Sequence, residues 1–202
     1  MPEDLENDVW EYNYTQVSDN SEQSTTITIG TATLQNSIRL SVFGTIIDDW
    51  TCVNDLPISN TEKVVVFKSD VSYSSVSRST SRWLYLCMKF TKVTNDLYFF
   101  YLLSDIFTDS MPNERVFMSG QTNLSNDEET MCSTFCQYTD SPKIRTLRRQ
   151  GTSDSLPNSP PLCDCGSSCS NSRAYSIGNS FGHNSRLEML PIYRHIGLDL
   201  FG

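Results

Sequence analysis

The residues of this chain best equipped for chemistry are its seven cysteines: Cys52, Cys87, Cys132, Cys136, Cys163, Cys165 and Cys169. The last five form a CxxxC at 132–136 and a CxCxxxC at 163–169, set in a polar Ser/Pro-rich stretch that cannot bury them as small apolar side chains. Thiolates can ligate zinc, but zinc takes four ligands, commonly as CxxC pairs or with histidines at fixed intervals. The two histidines, His183 and His195, stand far from any such pattern. No metal and no cofactor is therefore expected, and all seven cysteines are read as disulfide candidates. Cys52 and Cys87 lie in strand-like runs and are expected to bridge across a sheet, the alternative being two buried free thiols. Closing a loop of that length contributes about 3–4 kcal/mol in the chain-entropy account. The odd count means that one cysteine is free, pairs between chains, or has lost its partner.

Other chemistry has little support. There is no GxSxG, no HExxH and no glycine loop to cradle a phosphate. A Ser/His/Asp or Cys/His arrangement would have to be built by the tail that carries both histidines. The expectation is a protein without enzymatic activity; a hydrolase using the tail histidines is the remaining enzymatic reading. Arg145-x-x-Arg148-Arg149 offers the spaced arginines that subtilisin-like convertases accept, in a polar stretch where a cut is tolerated; otherwise it is a solvated charge run. The sequons at Asn13 and Asn123 are candidate glycosylation sites.

The net charge is −9, so the chain gains nothing from releasing the counterions of a polyanion, and nucleic acid is not an expected partner. No run approaches the ~18 apolar residues of a membrane helix. The first residues, MPEDLENDVWEY, have neither the basic nor the apolar segment of a signal peptide. The cysteine usage nevertheless predicts an extracellular protein, secreted or part of a longer ectodomain.

The elements that must position these residues read as strands. The hydrophobic fraction is 38%, low for a globular chain, and is concentrated between Ile27 and Met118. Trp10, Tyr12 and Tyr14 alternate as in a short strand with one aromatic face. Strand-like runs follow at 25–29, 37–43, 45–53 and 63–68. The densest is Arg82–Asp105, two strands joined by the polar turn Thr94-Asn95-Asp96. An Arg115–Ser119 strand closes the series, and helical spacing is poor throughout. The fold expected is mainly β: an antiparallel meander of about seven or eight strands forming a small lipocalin-like barrel or a sandwich. An irregular Cys/Ser/Pro-rich segment follows. The predicted division is a β domain at 1–119, a cysteine-bearing connector at 120–169 and a tail at 170–202. Trp83, Tyr85, Phe99 and Tyr101 are candidate core or cavity aromatics.

The succession DDWTC (48–52), VVVFKSD (64–70), YLCMKFTKVTNDLYFFYLLSD (85–105) and NERVFM (113–118) resembles the repeating domain of uncharacterised extracellular invertebrate proteins. These are numerous in molluscs and built of tandem domains of unknown function. CSTFCQ, PKIRTLRRQG, LPN and LC within 132–163 are similar to the connector between their first two domains, and the likeness covers roughly 10–169. It implies a disulfide-bonded β protein outside the cell with no catalytic residues to carry over. It also implies a cysteine before Trp10 that is missing here, which would orphan Cys132 or a neighbour. The expected function is binding, adhesion or matrix assembly with an unknown protein partner; the alternative is a lipocalin-like carrier of a small apolar ligand.

Overall fold

The computed structural model describes residues 1–74, 80–120, 128–158 and 160–169. A short 3-10 turn, Glu3–Leu5, precedes fourteen strands and one helix. The strands are β1 (Asp8–Thr15), β2 (Glu22–Ile29), β3 (Thr33–Gln35), β4 (Leu40–Val42), β5 (Thr45–Ile47), β6 (Trp50–Pro57) and β7 (Glu62–Ser69). They continue with β8 (Trp83–Lys92), β9 (Leu97–Leu102), β10 (Ile106–Phe107), β11 (Ser110–Met111), β12 (Glu114–Arg115), β13 (Phe117–Ser119) and β14 (Arg145–Arg149). Helix α1 spans Glu128–Phe135.

Eight strands close on themselves in the order β8-β7-β6-β3-β2-β1-β14-β9, with β9 returning to β8. Every pairing is antiparallel. Among these eight each strand follows its predecessor in the chain, so the barrel is an up-and-down meander of lipocalin-like type and not a sandwich. Closure leaves no long unpaired edge.

The eighth strand is the basic run. Arg145–Arg149 pairs with β1 on one side (Tyr12 opposite Leu147, Trp10 opposite Arg149) and with β9 on the other (Phe100 opposite Arg145). The boundary expected at 119 therefore cuts through the barrel: its last wall lies in the stretch read as a connector. Met1–Ser172 is one compact unit. Two further expectations need correction. Helical spacing is not absent, since α1 brings Met131 and Phe135 down on β8 beside Tyr85. The run 45–53 is not one strand: β5 and β6 are separate, with Asp48 and Asp49 between them.

Alternation fixes two apolar layers. Inside the barrel lie Trp10, Tyr12, Ile27, Trp50, Phe67, Phe90, Tyr98, Phe100 and their neighbours. Outside, Val64, Val66, Tyr85, Cys87, Phe99 and Tyr101 pack under α1 and the 156–165 segment. Each end of the barrel is plugged, and a buried tryptophan secures each plug. The Trp10 indole donates to Leu5 O at 3.1 Å, in the 3-10 turn. The Trp50 indole donates to Ile38 O at 3.0 Å, just before the three-stranded lid β11-β4-β5. Leu40, Val42 and Ile47 of the lid join the interior layer. A buried indole N–H needs such a partner, and losing it leaves an unpaired carbonyl. Trp50→Phe is expected to destabilise by about 1–3 kcal/mol and to open the lid first. Amide hydrogen exchange checks this: rates should rise at 38–47 before they rise in β7 and β8.

Candidate functional site

The barrel interior is the natural place for a small apolar ligand, and side chains occupy it. Rings meet across it: Trp10 with Tyr98 at 5.9 Å, Tyr12 with Phe100 at 5.8 Å, and Phe90 with Phe100 at 5.2 Å between centroids. All five rings are nearly or wholly buried. An eight-stranded barrel is just wide enough for side chains to fill, and here aromatic residues do so.

Two arginines of β14 point inward and each ends in carboxylates. Arg145 is buried and grips Glu114 with two hydrogen bonds, 3.0 and 2.6 Å, while donating to the Tyr12 hydroxyl at 2.6 Å. Burial alone would lower the Arg145 pKa; the adjacent Glu114 carboxylate outweighs it and holds the guanidinium charged. Burial raises the Tyr12 pKa, so its hydroxyl stays protonated. The set is satisfied internally and reads as a structural clasp; removing one member of such a buried pair costs about 3–5 kcal/mol. At the other end Arg149 lies over the Trp10 ring, 4.8 Å from its centroid. It donates to Asp96 at 2.9 Å and pairs with Asp8. The arginines read as a processing motif are thus two inward clasps, with Arg148 between them in the same strand.

Beside Arg149 the 3-10 turn is held by Asp4, which accepts from Lys92 and from the Tyr98 hydroxyl, the latter at 3.1 Å. An open cleft of about 280 Å³ lies here, lined by Asp4, Pro57, Lys63, Phe90, Lys92 and Tyr98. The Lys92 and Tyr98 hydrogen bonds hold the Asp4 carboxyl below the usual carboxylate range.

The disulfides pair otherwise than expected. Cys87 bonds Cys136, Cys132 bonds Cys165, Cys163 bonds Cys169, and Cys52 is free. The expected Cys52–Cys87 bridge is impossible on sheet geometry. Cys52 pairs in register with Phe67, and Phe67 with Leu86, so Cys52 shares the interior face. Cys87, one residue on, faces out. The orphan implied by the resemblance, Cys132 or a neighbour, is Cys52 instead. Burial raises the Cys52 thiol pKa, so it is a poor nucleophile.

Two buried charges missed in the sequence hold the CxCxxxC loop to the outer wall. Lys89, 1% exposed, donates to the carbonyls of Asp164 at 2.6 Å, Ser167 and, at 3.4 Å, Cys163. Glu62 accepts from the Ser168 hydroxyl and from Cys169 N at 2.8 Å. The signal for Lys89 was a charge inside an apolar strand, whereas Glu62 stands at the start of β7 and carried none. The cavity aromatics are displaced likewise: Tyr85, Phe99 and Tyr101 line the outer layer with half-buried Trp83 beside them, and Tyr98 and Phe100 line the interior. Asn13 is partly exposed on β1 between buried Tyr12 and partly buried Tyr14, on the opposite face from them. Asn123, His183 and His195 lie outside the described residues.

Among the described residues the two most exposed large apolar side chains, Met111 and Phe43, belong to the lid. Ile46 and Met111 flank Ser41 on its outer face, Met111 being 77% exposed. Phe43, 53% exposed, stands at the turn between β4 and β5. Both turn residues, Phe43 and Gly44, have positive φ, 48° and 85°. Asn-Gly suits such a turn, whereas a phenylalanine pays about 1–2 kcal/mol for the left-handed region.

Protonating Asp4 should loosen the plug. Its carboxyl titrates below the unfolded value, so its contribution is present above about pH 4 and lost as pH falls through the folded pKa. Limited proteolysis at Met1–Asn7 is expected to accelerate below that pH, and Asp4→Asn should be cleaved rapidly at every pH. No family model, no curated protein and no solved structure matches this chain.

Proposed function

We propose that this chain is a disulfide-stapled barrel that binds another protein through the outer face of its lid. The observation that carries the reading is the trio Phe43, Ile46 and Met111, apolar and exposed on a sheet whose opposite face is already satisfied by the barrel. Backbone strain kept at an exposed position is a pointer to use, and Phe43 occupies a turn that another residue would fill at lower cost. A partner of matching chemistry presents an apolar patch rimmed by polar groups. The aromatic filling of the interior weighs against the carrier reading, in which the barrel holds a small apolar ligand. A role in binding, adhesion or matrix assembly without catalysis fits this arrangement, as does the likeness to tandem-domain extracellular proteins.

Three disulfides support an extracellular setting. Among the described residues no helix is long and apolar enough to cross a membrane. Asn13 faces outward on a strand that leaves room for a glycan. In material secreted from eukaryotic cells, Asn13→Gln should reduce the mass lost on treatment with peptide N-glycosidase by one glycan.

Phe43→Asn separates the turn from the patch. It should leave stability unchanged or raise it by up to about 1 kcal/mol, because asparagine tolerates positive φ. It should also abolish crosslinking of a photoreactive residue placed at Met111 to the native partner. A variant that loses stability and keeps the crosslink would show that Phe43 serves packing alone. A fluorescent fatty acid tests the carrier: saturable one-to-one binding, indifferent to Phe43→Asn, would replace the docking reading.

A further inference from the structure

Two of the disulfides are neighbours. The sulfurs of Cys87, Cys136 and Cys165 lie within 4.8 Å of one another, all buried. Cys132 is bonded to Cys165, 2.03 Å away, and so places a fourth sulfur next to this group of three. We propose that in the reduced protein Cys87, Cys132, Cys136 and Cys165 form a tetrathiolate site for one soft divalent cation, Zn²⁺ being the biological one. This does not rest on the docking face and stands or falls separately.

The spacing in the chain hid this set, because the four ligands come from three elements. Cys87 is on β8, Cys132 and Cys136 are one turn apart at the end of α1, and Cys165 is on the loop that lies over them. Cys132 lies in the last turn of α1 and Cys136 directly follows the helix, four residues apart, so this one chain turn supplies two of the sulfurs. Zinc thiolate bonds of about 2.3 Å place the four sulfurs of a tetrahedron ~3.8 Å apart. The sulfurs of Cys87, Cys136 and Cys165 already sit at that scale, and Cys132 joins them once its bond to Cys165 opens.

Contacts other than the sulfur bonds hold each ligand in place. Helix α1 is seated by the Phe135 ring, 5.0 Å from Tyr85 and 5.5 Å from Phe117, and by a 2.7 Å hydrogen bond from the Ser104 hydroxyl to Phe135 O. Lys89 and Glu62 fasten the Cys165 loop from both sides, as described above. The sulfurs therefore stay close when the disulfides open. Charge is also provided for. A divalent cation with four thiolates carries a net charge of −2, and buried Lys89 lies on the same face of β8 as Cys87, two residues along. Its ammonium is held against the carbonyls of Asp164 and Ser167, one before and one after Cys165. A buried cation of this kind is the outer partner such a centre needs.

The chemistry balances simply. Each disulfide, with one phosphine and one water, gives two thiols and one phosphine oxide. The cation then displaces one proton from each of the four thiols. Sequestered thiolates are deprotonated outright by the metal, so no base is required.

The test uses the full chain, reduced with a water-soluble phosphine without oxygen and titrated with Co²⁺ and then Zn²⁺. Expected are saturation at one equivalent, the visible bands of tetrahedral cobalt thiolate, and their loss when Zn²⁺ displaces Co²⁺. Cys87→Ser should weaken binding by more than the roughly 10–100-fold that losing an outer partner costs, and Lys89→Met should weaken it by about that 10–100-fold. The double variant Cys163→Ser/Cys169→Ser should bind as the parent does. Any of three results overturns the proposal: no one-equivalent saturation, binding that survives Cys87→Ser, or binding that needs Cys163 and Cys169. Recovery of the amide-exchange protection of β8 on adding the metal is the second readout. A reduced chain that stays unprotected with one equivalent of Zn²⁺ overturns it as well.

Discussion

The structure depends on one strand of five residues. β14 lies between the first and seventh walls of the barrel, and without it both edges face water. Its inward face carries Arg145, Leu147 and Arg149, a charged–apolar–charged order that no ordinary interior tolerates. The cost is offset at each end by carboxylates drawn from distant parts of the chain: Glu114 at one end, Asp8 and Asp96 at the other. These clasps fix the register as well as the charge. A slip of one residue would turn both arginines outward and bring Thr146 and Arg148 in. Leu147 between them completes the apolar interior.

From this closure the two-layer arrangement follows. A closed barrel of eight strands has a narrow interior, which the tryptophans and phenylalanines fill. The surplus apolar residues of β7, β8 and β9 must then be covered from outside. Helix α1, the cysteine-bearing loop and the proline-rich stretch between 156 and 162 supply that cover. Disulfides Cys87–Cys136 and Cys132–Cys165 tie the cover to the wall, closing loops of 49 and 33 residues, each contributing about 4 kcal/mol by chain entropy. Lys89 and Glu62 do the same by hydrogen bonds. With interior and outer wall both occupied, the two most exposed large apolar side chains among the described residues, Met111 and Phe43, are those of the lid.

Strand periodicity revealed the barrel but not its seam. Period-two alternation with short links was enough for β1, β7, β8 and β9. It was not enough to say which face of Leu97–Leu102 is inside, because both faces are apolar and both are covered. Tyr98 and Phe100 differ from Phe99 and Tyr101 only in parity relative to register partners such as Leu147 and Phe90, on strands distant in sequence or themselves apolar on both faces. The eighth strand escaped notice because its three arginines read as solvent-facing; the carboxylates that neutralise Arg145 and Arg149 are 31 to 141 residues away in sequence. The cysteine pairing failed for the same reason: facing direction, not strand membership, decides whether two residues can bridge. Asp48, misplaced on the apolar face of the expected 45–53 strand, was the one local sign of a break. The lid patch was legible only as scattered apolar residues, since Met111 reaches Ile46 by way of Ser41, its register partner 70 positions away.

The claim that β14 closes the barrel is tested most directly by two fragments, residues 1–144 and 1–152, which share α1 and the Cys87–Cys136 bond and differ by the strand and its turn. Followed by circular dichroism during thermal unfolding, the 1–152 fragment should melt in one cooperative step. The 1–144 fragment should show no cooperative transition. A 1–144 fragment that melts cooperatively at the same temperature as 1–152 would contradict the account, because a barrel that stands without Arg145–Arg149 is not closed by it.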